Sequence, residues 1–145
     1  MDHVAIMKKS WGLTEKILSG QKTIESRWYE SRRAPWDRIK AGDTVYFKNS
    51  GELVCIKSKV EKAIQFESLT PNKVRAILKK YGKEDGIAKE KLDEFYQIFK
   101  NKKYCILVFL EKSISIKPFD INKSGFGAMS AWLAVSNISK IKRNF

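Results

Sequence analysis

Lys22, Glu25 and Arg27 bring one carboxylate and two cations into a single extended stretch, Lys22-Thr-Ile-Glu-Ser-Arg-Trp. Alternate side chains of a strand share a face, so Glu25 and Arg27 point the same way. Lys22 stands at the mouth of that strand, where its long stem can swing toward the same face and keep its ammonium in solvent. Truncating such an accessible lysine is expected to change stability by no more than about 0.5 kcal/mol. Together the three form a charged, anion-receptive group. Glu25 either holds the Arg27 guanidinium as a fork or accepts from the exocyclic amine of a nucleobase. In a catalytic site Lys22 would be the base or charge stabiliser and Glu25 the acid/base. The same residues equally suit an exposed ladder of cross-strand ion pairs.

Aromatic residues supply a second set of candidates. Basic grooves with aromatic platforms hold single-stranded nucleic acid and splayed bases, at about 1–3 kcal/mol per stacked base. Trp28 shares its parity with Ile24 and reads as core, and Trp132 between Ala131 and Leu133 also fits a core position. Trp11 and Trp36 are the better cleft residues, Trp36 lying among Arg32, Arg33 and Arg38. The loop Lys123-Ser-Gly-Phe-Gly-Ala-Met-Ser is a further candidate wall. Its glycines would let backbone amides approach a phosphate, Ser124 and Ser130 offer hydroxyls, and Phe126 offers a ring. A plain connection before the last strand would look the same.

Charge points to the class of partner. The chain has 145 residues with 29 Lys+Arg against 16 Asp+Glu, a net +13, and residues 73–145 carry +9 of it. Such a field favours polyanions, whether RNA, DNA or an acidic membrane surface, and a merely solubilising lysine-rich surface would carry the same charge. Other classes drop out. One histidine, His3, cannot make the usual His/Cys zinc set, and no elbow motif places it in a nucleophilic triad. No glycine-rich phosphate cradle is present, so no nucleotide cofactor is expected; carboxylates alone could hold a metal, but nothing in the sequence points to one and none is expected. Cys55 and Cys105 lie in apolar, strand-like stretches and read as buried free thiols. No apolar run reaches the roughly 18 residues of a membrane span, and the N-terminal residues do not form a signal peptide. The expectation is a cytoplasmic protein with no membrane partner; a protein partner is not identified by the sequence.

These candidates need elements to position them. Residues 2–7 read as a strand, Ser10 as an N-cap, and Leu13, Ile17 and Leu18 as one face of a helix closed by Gly20. Residues 22–29 alternate as a strand. Residues 31–40 form a basic loop or short helix, and 41–43 a turn. Strands over 44–49 and 53–66 flank Ser50-Gly51 as a hairpin. Thr70 before Pro71 starts a helix with Val74, Ile77, Leu78 and Tyr81 on one face, ended by Gly82. A second helix, about 88–100, is expected to bury Leu92, Phe95, Ile98 and Phe99. Residues 103–118 are one long strand or two bent ones. A loop over 122–130, a strand over 131–135 and a basic tail to Phe145 complete the chain. The fold class is α+β: one domain, 1–145, built as a small mixed β-barrel with flanking helices and a helical insertion over 68–101 packed outside it.

Gly20-Gln-Lys22-Thr-Ile-Glu25-Ser-Arg27 resembles the G-x-K-x-x-E-x-R motif of the ASCH domain. Ile39-Lys-Ala-Gly42-Asp43-Thr-Val-Tyr-Phe is similar to that family's strand entry. The resemblance covers residues 4–66 well and the strands from 103 onward more loosely. It implies a PUA-like barrel with a cleft beside the motif, and RNA or nucleotide binding there. It also implies two activities as alternatives, amide hydrolysis on N4-acetylcytidine and RNA cleavage. In the amidohydrolase pattern the lysine matches Lys22, but Glu25 stands where that pattern has a threonine nucleophile, and Thr23 would point to the opposite face. A carboxylate is the poorer nucleophile toward an amide. A third reading is a protein-interaction module that docks through 68–101.

Overall fold

The computed structural model describes residues 1–143; the last two residues of the basic tail lie outside the described residues. Seven strands run in chain order as β1 (Asp2–Met7), β2 (Ile24–Tyr29), β3 (Thr44–Asn49), β4 (Val54–Phe66), β5 (Tyr104–Leu110), β6 (Ile114–Phe119) and β7 (Trp132–Val135). Three helices are interleaved with them: α1 (Leu13–Ser19), α2 (Pro71–Tyr81) and α3 (Leu92–Phe99). No helix among the described residues is long and apolar enough to cross a membrane.

The strands form one mixed sheet in the order β2-β5-β4-β3-β1-β7, with β6 added on β4. Only β1 and β3 run parallel. The 13-residue β4 joins the two halves. Its first part pairs with β3 and β6, its register slips between Val60 and Lys62, and its last part pairs with β5. The sheet is open, not the closed barrel the alternation suggested. Alternation identifies strands and their faces, but it carries no information on whether the first and last strands of a sheet meet. Here β2 and β7 both remain edges.

Side-chain parity divides the core in two along β5. Ile106, Val108 and Leu110 face the main cluster with Ala5, Val45, Phe47, Ile56, Val60 and Trp132. Cys105 and Leu107 face the opposite cluster, which α2 fills with Val74, Ile77 and Leu78 and β2 with Ile24 and Trp28. The segment 68–101 therefore packs on the sheet face away from the main core. Thr70 caps α2 by accepting from the Lys73 N–H, with Pro71 in the first turn, as its sequence dictates.

Three local expectations are corrected. Ser10 is not a helix cap: residues 9–11 form a 3-10 turn, Gly12 at φ 64° reverses the chain, and α1 starts after it. Leu18 is 46% exposed, because α1 is only two turns long and buries Leu13 and Ile17 alone of that face. Ile98 is likewise 46% exposed; Tyr96 takes its place beside Leu92, Phe95 and Phe99, all half-buried against the second cluster.

Candidate functional site

Gly20, at φ 86°, ends α1 by donating to the Ile17 carbonyl, and the chain turns into β2 through Gln21 and Lys22. The Lys22 N–H donates to the Lys16 carbonyl, which fixes the turn. β2 then pairs with β5 on one side only. Glu25 and Arg27 share a face, as their spacing requires, and Arg27 grips Glu25 Oε2 with both Nε (3.1 Å) and Nη2 (2.9 Å). The same guanidinium reaches across the open side of the sheet. Nη1 donates to the Ala131 carbonyl at 3.2 Å and Nη2 to the Ile6 carbonyl at 3.3 Å, while the guanidinium carbon lies 5.1 Å from the Trp132 ring centre. Arg27 thus ties β2 to β1 and the approach to β7 where no ladder joins them.

Lys22 does not stand at a solvent-exposed rim. It is 1% exposed. Its Nζ donates to the carbonyls of Ile24 (2.6 Å) and Asp85 (2.7 Å) and to Asp85 Oδ1 (2.5 Å), and lies 3.1 Å from Glu25 Oε1. The expectation that its truncation spares stability is overturned with it. The cause is the segment after α2. The Glu84 carbonyl accepts from the N–H groups of Thr23 and Ile24, which docks the turn on the mouth of β2. Gly86, at φ 81°, lies so close over the Lys22 stem that a Cβ there would fall 3.1 Å from Lys22 Cβ. Between them Asp85, 5% exposed, is carried in over the ammonium.

The two carboxylates around Lys22 differ in character. Burial opposes the charge of Glu25, but Lys22 and Arg27 outweigh it and hold its carboxyl below the usual range. Burial pushes the Asp85 carboxyl up, because Lys22 alone does not compensate and Glu25 adds repulsion. Burial works against the Lys22 ammonium too, yet Asp85 and Glu25 together keep it above its ordinary value. Asp85 has a further partner: its Oδ2 accepts from Ser26 Oγ at 2.5 Å, and Ser26 Oγ accepts from Trp28 Nε1 at 3.0 Å.

A cavity of about 250 Å³ opens along the outer edge of β2. Glu25, Ser26, Arg27 and Asp85 form its polar floor. Trp11, Trp28, Phe95 and Phe99 form its aromatic wall, with Ile6, Met7 and Ala131 opposite. Trp28 stacks on Phe99 with ring centres 4.9 Å apart, and Trp11 meets Phe95 edge-on at 5.1 Å. Of the residues singled out from sequence, Glu25, Arg27 and Trp11 line this cavity, and Lys22 lies beneath it.

The others are elsewhere. Trp36 packs edge-on against Tyr104, Arg32 lies over Trp36 and pairs with Glu67, and Arg33 lies over Tyr29. They form a basic-aromatic patch at the far end of β2, because Tyr29 and Tyr104, not the motif, anchor residues 31–40; the patch borders the cavity through Tyr29, which lines both. In the 122–130 loop the Ser124 N–H donates to Asn122 Oδ1, Ser130 Oγ donates to the Trp132 carbonyl, and Phe126 packs on the cluster around Val4 and Leu133. Only Ala131, just after the loop, reaches the cavity. Trp28, read as core, is both buried and a cavity wall. Sequence reasoning missed Asp85, Ser26, Phe95 and Phe99. Asp85 sits in an ordinary Asp-Gly turn signal, and the α3 aromatics showed only helical periodicity.

Comparison with solved structures places the fold. The crystal structure of ZmASCH, an ASCH protein from Zymomonas mobilis, superposes with a TM-score of 0.65 at 16% identity, covering 92% of this chain and 87% of that one. A single-substitution mutant of the same protein gives 0.68 at 16% identity, over 96% and 93% of the two chains. A hypothetical protein of solved structure gives 0.51 at 24% identity over 80% of this chain and all of its own. No family model matches the sequence, and no curated protein matches it. The chain has the ASCH-domain fold.

Proposed function

We propose that this protein binds single-stranded RNA or a modified nucleoside by taking one base into the cavity beside β2. The observation that carries this reading is the composition of that cavity: five aromatic residues, Trp11, Trp28, Tyr29, Phe95 and Phe99, together with the Arg27 guanidinium and the carboxylates of Glu25 and Asp85. Flat heterocycles are held by such rings, and exocyclic amines by carboxylate acceptors. Its volume, about 250 Å³, falls just below the roughly 300–1,000 Å³ of ligand pockets and suits a single base. The surroundings are basic: the solvent face of α2 carries Lys73, Arg75, Lys79 and Lys80 with no acidic side chain in the helix. Those cations, like Arg32 and Arg33, can follow a phosphate backbone away from the cavity. The apolar faces of α2 and α3 are committed to the sheet and the cavity wall, which favours a polyanion over an apolar protein partner for this segment.

The test is titration of a single-stranded RNA oligomer and of free nucleosides, followed by anisotropy and tryptophan quenching at rising salt. RNA affinity should fall steeply between low and physiological salt, through counterion release, while nucleoside affinity barely changes. RNA binding that is flat with salt, or absent at low salt, overturns the reading.

A further inference from the structure

We propose that the chain has a second ligand site, on the face of β3 and β4 turned away from the main core, and that it binds an anion with two or more neighbouring phosphate groups. A cavity of about 330 Å³ lies there, lined by Lys57, Lys59 and Lys112 together with Thr44 and Tyr46. It shares no lining residue with the cavity beside β2. The inference therefore goes beyond the base-binding reading and does not depend on it.

Strand register builds the site. Val45 and Phe47 of β3 face the main cluster, so Thr44 and Tyr46 face the other way. Thr44 stands opposite Lys59 and Tyr46 opposite Lys57, which puts both lysines of β4 on that same face. Two residues along a strand span about 6–7 Å, so the two stems emerge side by side. Lys112 arrives from the turn between β5 and β6. That turn is pinned to β4 by two hydrogen bonds: the Glu111 N–H donates to the Lys59 carbonyl at 2.9 Å, and Ser58 Oγ donates to the Glu111 carbonyl at 2.7 Å. Lys59 is itself aimed, because its Nζ donates to Thr44 Oγ1 at 3.0 Å and to the Gly42 carbonyl at 3.4 Å.

The charge of this group is uncompensated. Both acceptors of Lys59 are neutral, no carboxylate lines the cavity, and none of the ion pairs among the described residues involves its three lysines. Like charges on neighbouring positions of one sheet face repel, and a shared anion relieves that repulsion. The donor set selects the anion. No arginine fork is present to match a planar carboxylate, whereas lysines bind phosphate as point charges. Three of them suit more than one phosphate group, and the volume, at the low end of the roughly 300–1,000 Å³ of ligand pockets, leaves room for it. Burial and the Asp2 carboxylate hold the Tyr46 phenol above its usual range, so it stays a neutral donor beside the lysines. Adjacent phosphates of an RNA strand and those of a small polyphosphate compound share this chemistry.

Titrating the full chain with inorganic tripolyphosphate, by calorimetry and by amide chemical shifts, tests this directly. One site should saturate, with shifts at residues 44–46, 57–59 and 111–114. The triple variant Lys57→Gln, Lys59→Gln, Lys112→Gln should weaken binding at least about tenfold, each exposed charge accounting for up to roughly fivefold. A control triple, Lys83→Gln, Lys89→Gln, Lys103→Gln, removes the same net charge from exposed positions outside the lining. At physiological salt it should stay within about twofold of wild type, because distant charges are screened. Melting temperatures are taken on the same samples, and Lys112→Gln alone, on an exposed turn, serves if the site triple folds poorly. No saturable binding, shifts confined to the cavity beside β2, or equal weakening in both triples overturns the inference. RNA that displaces tripolyphosphate and binds the site triple more weakly identifies the phosphates as those of a nucleic acid strand; RNA affinity unchanged in the site triple identifies a small polyphosphate compound. Nucleoside titration separates this site from the base cavity: tripolyphosphate binding at 57–59 without nucleoside binding sinks the base reading alone, and nucleoside binding without tripolyphosphate binding sinks this inference alone.

Discussion

Lys22 Nζ and Asp85 Oδ1 lie 2.5 Å apart although 63 residues separate them in the chain. The contact makes the segment after α2 part of the motif site, because the motif's lysine is enclosed only when Asp85 and Gly86 cover it. Removing Lys22 would leave Glu25 and Asp85 buried with Arg27 as their one remaining cation, and breaking a buried pair in this way costs about 3–5 kcal/mol. Lys22→Ala should therefore lower the urea midpoint severely. Lys22→Ala combined with Asp85→Asn should be less damaging than the two losses added, by about 0.5–3 kcal/mol. Additive losses would show that the pair is not coupled.

Arg27 should act as a strut across the open side of the sheet. Arg27→Lys keeps the charge but cannot make the two-pronged contact with Glu25 and reach Ile6 and Ala131 at once. Charge-assisted bonds of this kind contribute about 1.5–3 kcal/mol, and a loss of that order is expected in Arg27→Lys. Native-state hydrogen exchange should quicken selectively at residues 5–7 and 131–133. Unchanged protection there would remove the strut role.

How much of this was legible follows from what each signal encodes. Thr70-Pro71 set the start of α2, since capping is a local effect, whereas the all-apolar run Cys105-Ile-Leu-Val-Phe-Leu marks a strand but not which side chains meet which cluster. Parity correctly put Glu25 and Arg27 together. The burial of Lys22 was not legible, because it depends on a turn brought in from 60 residues away by main-chain bonds to Glu84. Trp36 shows the converse: its neighbours Arg32, Arg33 and Arg38 are near in sequence, yet Tyr104 of β5 decides where the ring goes. Closure of the sheet is a question of the same non-local kind.

His3 should make stability fall on the acid side of neutrality. It is buried, with Nε2 2.9 Å from Asp43 Oδ2 and Nδ1 3.0 Å from Trp132 Nε1. The indole can only donate, so Nδ1 accepts and the ring is neutral with its proton on Nε2. Burial, outweighing Asp43, lowers the His3 pKa below 6.5. Above about 6.5 neither folded nor unfolded chain holds the extra proton and stability is full; below it the unfolded chain takes up a proton first, and stability declines. Asp43, also depressed by its His3 contact despite burial, extends the loss at still lower pH. Asp85, with a raised carboxyl, works in the opposite sense, so the diagnostic is a difference: wild type minus His3→Asn. As the chain has one histidine, that difference in urea midpoint should shrink as pH drops from about 7.5 to about 5.5. A pH-independent difference would mean that His3 titrates normally in the fold.

Trp11 and Trp36 should separate in binding although both are half-buried tryptophans beside cations. Trp11 lines the cavity and meets Phe95 edge-on, with Lys8 Nζ 5.2 Å from its ring centre. Trp36 stands outside the cavity, braced by Tyr104 and covered by Arg32. A base stacked against a ring is worth about 1–3 kcal/mol by truncation, so Trp11→Ala should weaken both RNA and free-nucleoside binding by roughly fivefold to a hundredfold or more. Trp36→Ala should leave nucleoside affinity as it is, because no cavity wall is lost. Its effect on RNA is confined to the Arg32 patch, where truncation frees a cation that can still meet phosphate. Titrations of both ligands against both variants give four affinities. Nucleoside binding that survives Trp11→Ala but fails in Trp36→Ala would move the base site from the edge of β2 to the Arg32–Trp36–Tyr104 patch.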